Sequence, residues 1–167
     1  AALTTMIIKT EYDKVKVMDG LPHIILTFFN NIFIKRYLNL RTFFTCIIID
    51  IDLIGNKIYY SSAGHPKQFM ITKDCVKSLD AGDMLIGIEE NLDYELKSVD
   101  FIPGDKALFF TDGLFEEFSE NNIELGFDRF TKMIEKHKSK NIHSLTSSII
   151  KDVRKWRGKT SPHDDIT

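Results

Sequence analysis

The chain has 167 residues, with 22 Lys+Arg against 24 Asp+Glu and a formal net charge of -2. That length suits one domain burying roughly 70% of its unfolded surface, and the charge balance excludes the basic excess by which proteins gather nucleic-acid phosphates. Apolar runs such as Phe43–Ile49 are far shorter than the roughly 20 residues a membrane helix needs, and the N-terminus lacks a signal peptide's basic start, so neither nucleic acid nor a membrane segment is expected.

The opening residues follow helical spacing. Leu3, Met6, Ile7 and Tyr12 predict a helix over Ala1–Tyr12, and Leu21, Ile24, Ile25, Phe28, Phe29, Ile32 and Phe33 predict a second over Leu21–Leu38. Asp19-Gly20 supplies its start signal, and Pro22 is tolerated in the first turn, where its missing N–H is not needed. The period then changes. Phe43–Ile51 is a nearly continuous β-branched and aromatic run, typical of a strand covered on both faces. Gly55-Asn56 reads as a two-residue turn, with glycine taking positive φ, that returns the chain as Lys57–Ser62. Further strands are expected at Lys67–Thr72, Cys75–Leu79, Tyr94–Phe101 and Lys106–Thr111, the third with a bulge because its alternation slips. Phe127, Phe130, Ile134 and His137, then Leu145, Ile149, Val153 and Trp156, trace two closing helices, the second stopped by Gly158. Helices, a run of antiparallel strands, then helices is an α+β pattern. No repeat or linker-like stretch divides it, so 1–167 reads as one domain. Cys46 and Cys75 match no metal spacing and read as reduced thiols of a cytoplasmic protein.

The five histidines form no zinc-protease pattern, and no nucleophile elbow, Walker loop or dinucleotide fingerprint is present. Carboxylates remain. Asp112 follows the apolar strand Ala107–Phe110 and precedes Gly113, so its carboxylate sits where the strand ends. Asp164-Asp165 follows the loop 159–163 and precedes Ile166-Thr167, which reads as a strand beginning. Hard divalent ions prefer such oxygen donors, and two ions about 4 Å apart can clamp a phosphoryl group. Taken alone, Asp-Gly is an ordinary turn and Asp-Asp a solvated cap.

The series changes that weighting. Phe44-Thr45, Asp50-Ile51-Asp52, Ala63-Gly64-His65-Pro66, Leu85-Ile86-Gly87-Ile88, Pro103-Gly104-Asp105, Thr111-Asp112-Gly113-Leu114-Phe115-Glu116, Phe127 and Asp164-Asp165-Ile166-Thr167 occur in the order and spacing of one family. Along practically its whole length the chain resembles the bacterial metal-dependent serine/threonine phosphatases of the stage II sporulation protein E type, a branch of the PPM superfamily. The resemblance implies two packed antiparallel β-sheets flanked by helices, two manganese or magnesium ions, and hydrolysis of phosphoserine or phosphothreonine by a metal-activated water. It implies as substrate a phosphorylated regulatory protein of the anti-sigma-factor antagonist type, and an upstream sensor domain in the same polypeptide.

Carried over by position, Asp112 matches a metal ligand, Asp164 matches the ligand of the last motif, and Asp165 stands beside it as a further candidate. Gly64 and His65 are expected to close a hairpin between core strands, with Gly113 as the turn glycine and His65 not a ligand. Glu116, Glu117 and Glu120 could add negative potential, their simpler role being a solvated helix start or loop, and Leu114–Leu125 is the expected region of substrate contact. The family's strand and turn of the form Asp-Val-Ser-Gly-His-Gly is not in these residues. The domain is therefore expected to be incomplete at both termini, with one weakly held ion or none. Two other readings are a non-catalytic member of the fold serving as a regulatory or protein-binding module, and an interaction domain whose carboxylates only cap turns.

Overall fold

A computed structural model describes residues 2–80, 82 and 84–167. Among these, the fold is α+β, with four α-helices and two three-stranded antiparallel sheets. The elements are α1 (Ala2–Val15), α2 (Pro22–Tyr37), β1 (Cys46–Asp52), β2 (Lys57–Ala63), β3 (Gln68–Ile71), β4 (Val76–Leu79), β5 (Lys97–Asp100), β6 (Lys106–Leu108), α3 (Gly126–His137) and α4 (Ile142–Arg157). The chain divides into two units, Ala1–His65 with Ala81–Ile102, and Pro66–Asp80 with Pro103–Thr167.

The first unit holds α1, α2 and the sheet β1-β2-β5, around a core that includes Leu26, Phe29, Phe33, Ile48, Ile86 and Tyr94. Helix α2 starts at Pro22 as its sequence signals. Its buried face differs from the expected stripe: Leu26, Phe29, Asn30, Phe33 and Ile34 point inward, while Leu21, Ile24 and Phe28 are exposed. A helix apolar on nearly every side carries no periodicity to choose a face, and here a polar side chain marks it. Asn30 is fully buried, donates to Glu89 O at 2.8 Å and accepts from Gly87 N–H at 2.9 Å.

Helix α1 runs past the expected end at Tyr12, and Met6 and Tyr12 are exposed; Ala1 and the Leu3 side chain lie outside what is described. Its inward residues include Glu11 and Val15. The Glu11 carboxylate accepts from Lys14 Nζ and Tyr37 Oη, each at 2.8 Å, and from the Arg36 guanidinium. Burial works to raise its pKa, and the bonds from Lys14 and Tyr37 with the charges of Arg36 and Lys14 outweigh that, leaving it below the usual carboxylate value.

Strand β1 is shorter than the apolar run that announced it, and only Ile48 within it is buried. Asp50 and Ile51, consecutive and so on opposite faces, are both exposed, so the strand is not covered on both faces; it forms the edge of its sheet, and Phe44 makes only an isolated bridge to Ile86. The β1–β2 connection is a four-residue loop, Leu53 to Asn56, because Asp52 pairs with Lys57. Asn56, not Gly55, takes the positive φ (54°), and the Asp52 carboxylate accepts from the N–H groups of Ile54 (2.9 Å) and Gly55 (2.7 Å). No bulge forms near Tyr94: β5 begins at Lys97 and pairs with β2 without a break.

The second unit holds the sheet β4-β3-β6 with α3 and α4. The two terminal helices bury Phe130, Ile134 and His137, and Leu145, Ile149 and Val153, as their spacing predicts. The α4 N-cap is Asn141, whose side chain accepts from Ser144 N–H at 2.9 Å. Since β2 and β3 belong to different sheets, Ala63-Gly64-His65-Pro66 links two sheets and does not close a hairpin. Both cysteines are free, and burial pushes the Cys46 thiol up to about 12, which suits an inert side chain.

Strand β6 stops at Leu108, sooner than expected, because a side chain takes over the ladder. Gln68 is fully buried; its Oε1 accepts from Phe110 N–H at 2.6 Å, and its Nε2 donates to Phe110 O at 3.2 Å and to Pro66 O at 2.7 Å. One primary amide thus does for Phe110 what a neighbouring strand would do, and frees the following residues to turn.

Two outcomes follow. Gln68→Met keeps the volume and strands the Phe110 N–H and C=O, so urea denaturation should show a loss of about 1–3 kcal/mol; a loss below half the lower figure would contradict this account. Because the Glu11 pKa lies below its unfolded value, its contribution is complete above that value and fades as pH falls through the folded one. Wild type should therefore lose more stability than Glu11→Gln between about pH 6 and pH 3, measured by denaturation at each pH.

Candidate metal-carboxylate site

In the second unit, Asp112 opens a single turn of 3-10 helix, Asp112–Leu114, four residues beyond the end of β6. The turn stands on aromatic rings: Phe110 lies 4.9 Å from Phe130 and 6.2 Å from Phe115, and Leu114 is buried. Asp112 O accepts from the N–H groups of Phe115 and Glu116, and its carboxylate accepts from Gly113 N–H at 3.1 Å. The residue before the turn does not cap it. Thr111 Oγ1 instead donates to Asp165 O and accepts from Thr167 N–H, both at 3.1 Å.

Those bonds bring the last residues to the turn. Ile166-Thr167 forms no strand among the described residues, correcting the expectation at this end: only Thr111 bonds it, so no ladder builds. The approach is close. A Cβ on Gly113 would lie 2.5 Å from Asp165 O and 3.5 Å from the Asp164 carbonyl carbon. Gly113 therefore serves contact with the tail, beyond making the turn. Asp164 bends its carboxylate back to accept from Asp165 N–H at 2.7 Å.

The electrostatics register the convergence. Glu116 has its carboxyl raised above the usual value, by burial first and then by the negative charges of Asp112, Glu124 and Asp164. Asp112 and Asp164, 52 positions apart in sequence, thus act on one group. Glu116 is exposed, as a loop carboxylate should be, yet it belongs to this field. Its position four residues after Asp112, on one helical turn, was the available signal. Glu124 had none, since it arrives through loop closure: Leu125 N–H donates to Glu117 O and Gly126 N–H to Phe115 O, both at 2.8 Å.

Glu117 departs from the solvated role expected of it, whereas Glu120 is exposed as expected. Glu117 is 1% exposed and accepts from Arg157 Nη1 at 3.1 Å. Glu120 accepts from Lys159 N–H at 3.0 Å. Together with the ring contact of Phe118 and His163 at 5.0 Å, they hold the end of α4 and the start of the tail to the loop after Asp112. A buried carboxylate must be paired to be tolerated, and Arg157 is the pair. Gly64 and His65 belong to the first unit: Gly64 has φ 64°, and His65 Nδ1 lies 3.4 Å from Thr45 Oγ1.

The donor set of Asp112 and Asp164 is all oxygen, which fits a hard divalent cation. Among the described residues no group of three His, Cys, Asp or Glu side chains is arranged to hold a metal ion.

The family model for stage II sporulation protein E (SpoIIE) matches residues 1–167. The chain belongs to the SpoIIE family. The phosphoserine phosphatase RsbU of Bacillus subtilis is 25% identical over 169 residues, covering all of this chain and 50% of RsbU. The chain thus spans about half the length of that curated relative. Among solved structures, the SiaA PP2C domain of Pseudomonas aeruginosa superposes with a TM-score of 0.83 at 20% identity, over 99% of this chain and 66% of that one. The RsbU and RsbW domains of a Mycobacterium tuberculosis protein give 0.77 at 20%, over 95% and 44%. The SpoIIE phosphatase domain of Bacillus subtilis gives 0.60 at 21%, over 96% and 70%. At these identities the structures establish the fold, which is that of PP2C-type phosphatase domains.

Because the Glu116 pKa is raised, its charged form opposes folding above its ordinary value and has no effect well below it. Glu116→Gln should raise the melting temperature near pH 7.5 relative to wild type, and the difference should close below about pH 4. Equal melting temperatures at both pH values would remove Glu116 from the field of Asp112 and Asp164.

Proposed function

We propose that the chain is part of a metal-dependent protein serine/threonine phosphatase, acting on a phosphorylated regulatory protein of the anti-sigma-factor antagonist type. The observation that carries this reading is the seating of the Asp164-Asp165 backbone on Gly113, which sets two carboxylate motifs side by side. Similarity to a phosphoserine phosphatase, RsbU, supports the reaction class.

Asp112 and Asp164 would hold manganese or magnesium, two ions in the complete catalytic site, with Asp165 adjoining. When bound, such ions supply Lewis acidity that neutralises phosphoryl charge and lowers the pKa of water. The protein's own part is positional. Thr111 holds the tail, Gly113 leaves it room, and Phe110 and Phe115 give the Asp112 turn an apolar floor. Without a cation, Asp112, Glu124 and Asp164 each repel the Glu116 carboxylate, a field that a divalent counter-ion would relieve. We place the protein in the cytoplasm, with a sensor domain in the same polypeptide as its regulator. No described helix is long and apolar enough to cross a membrane.

A second reading has one observation in its favour. The described residues present no three-ligand cluster, which suits a non-catalytic member of the fold that binds a regulatory partner. Hydrolysis of a phosphoserine peptide separates the two. A polypeptide carrying this chain should release phosphate in millimolar manganese and stop on chelation. Asp112→Asn and Asp164→Asn should each lower the rate by at least the ~10–100-fold that even outer-sphere partners of a metal cost. Manganese-dependent hydrolysis untouched by both variants would overturn the site. No hydrolysis at all would favour the second reading.

A further inference from the structure

The second unit has a groove of about 670 Å³ whose charge is unlike that of the whole chain. Its floor is apolar, made by Ile123 of the loop after Asp112, Met133 of α3 and Trp156 of α4. Its rim carries Arg129, Lys132, Lys136 and Lys155, with Asp152 as the one acid among its lining residues. That acid is already engaged, accepting from Lys136 Nζ at 2.8 Å and lying 2.9 Å from His137 Nε2. Among the described residues Lys132 and Lys155 have no acidic partner, on a protein whose net charge is -2.

A local excess of positive charge over an apolar floor recognises a segment carrying both carboxylates and an apolar side chain. We infer that this groove, whose lining includes neither Asp112 nor Asp164, docks an acidic segment of the protein substrate. The identity of the occupant as substrate rests on the phosphatase reading; its chemistry rests on the groove. Two features favour an acidic peptide over a nucleic acid. Arg129 lies over the Trp156 ring, 5.2 Å from its centroid, so that face of the indole is closed to a stacking base. The sequence as a whole also has a net charge of -2, without the basic excess of a nucleic-acid-binding domain. The site fits the loop's position: Ser119, Asn121 and Ile123, in the segment where substrate contact was expected, line one wall.

Trp156 is the sole tryptophan in the sequence, so the groove contains its own reporter. A ten-residue Glu/Asp-rich peptide with one central leucine, titrated into the protein, should shift Trp156 fluorescence saturably. The shift should weaken steeply with salt and be absent with the Gln/Asn counterpart. Lys132→Glu with Lys155→Glu should weaken that binding by about tenfold or more, circular dichroism confirming an unchanged fold; Lys132→Gln with Lys155→Gln should fall between. In the manganese-loaded polypeptide, the charge-reversed pair should raise KM for an acidic phosphoserine peptide by a similar factor, leaving its kcat and the hydrolysis of para-nitrophenyl phosphate unchanged. No fluorescence response, an equal response to the neutral peptide, unchanged binding by the charge-reversed variant, or tighter binding of a single-stranded oligonucleotide would each overturn the proposal. If neither the phosphoserine peptide nor para-nitrophenyl phosphate is hydrolysed, the phosphatase reading fails, and the fluorescence titration still decides the groove.

Discussion

The arrangement of the carboxylate site depends on the ion pair between Glu117 and Arg157. Glu117 sits five residues after Asp112, Arg157 seven before Asp164, and their contact at 3.1 Å closes the distance between the two motifs. Glu117 is almost wholly enclosed, and Arg157 keeps one buried nitrogen, Nε, without a partner. Such a pair is poorly replaced by halves, since losing one member leaves a buried charge and costs about 3–5 kcal/mol. Its role is one of address. It commits the end of α4 to the loop after Asp112, and only then can the short tail reach Thr111.

The same logic recurs wherever the chain must do something other than extend a helix or a strand. Asn30 holds the backbone at Gly87 and Glu89, Gln68 substitutes for a strand at Phe110, and Glu11 ties α1 to the end of α2. Each is a polar side chain inside an apolar cluster, satisfied by several partners at once. Apolar contacts such as Phe110 on Phe130 supply most of the driving force, and these polar groups decide which of several apolar arrangements is adopted.

That division explains what could be read from the sequence. The α+β class, both terminal helices, the start at Pro22 and the approximate places of the strands follow from periodicity and turn chemistry, which act over a few residues; the order of the strands in the two sheets does not. The motif series pointed to Asp112 and Asp164, whose charges both act on Glu116. The buried face of α2 was misjudged because its apolar residues run around the helix, and the marker, Asn30, is meaningful only once Gly87 is beside it. Glu117 was read as solvated for the same reason, since the arginine that pairs with it lies 40 positions away. The strand ending in Phe110 looked longer than β6 because nothing in a local window shows that a glutamine will stand in for the next pair.

Gly158 carries the consequence furthest from the site. Its φ of 70° ends α4, and a Cβ there would lie 2.5 Å from the Glu120 carboxylate that holds Lys159. Any side chain would both strain the backbone and push away one of the clasps that aim the tail. A substitution at this glycine should thus loosen the tail that carries Asp164, although residue 158 contributes no side chain to the site.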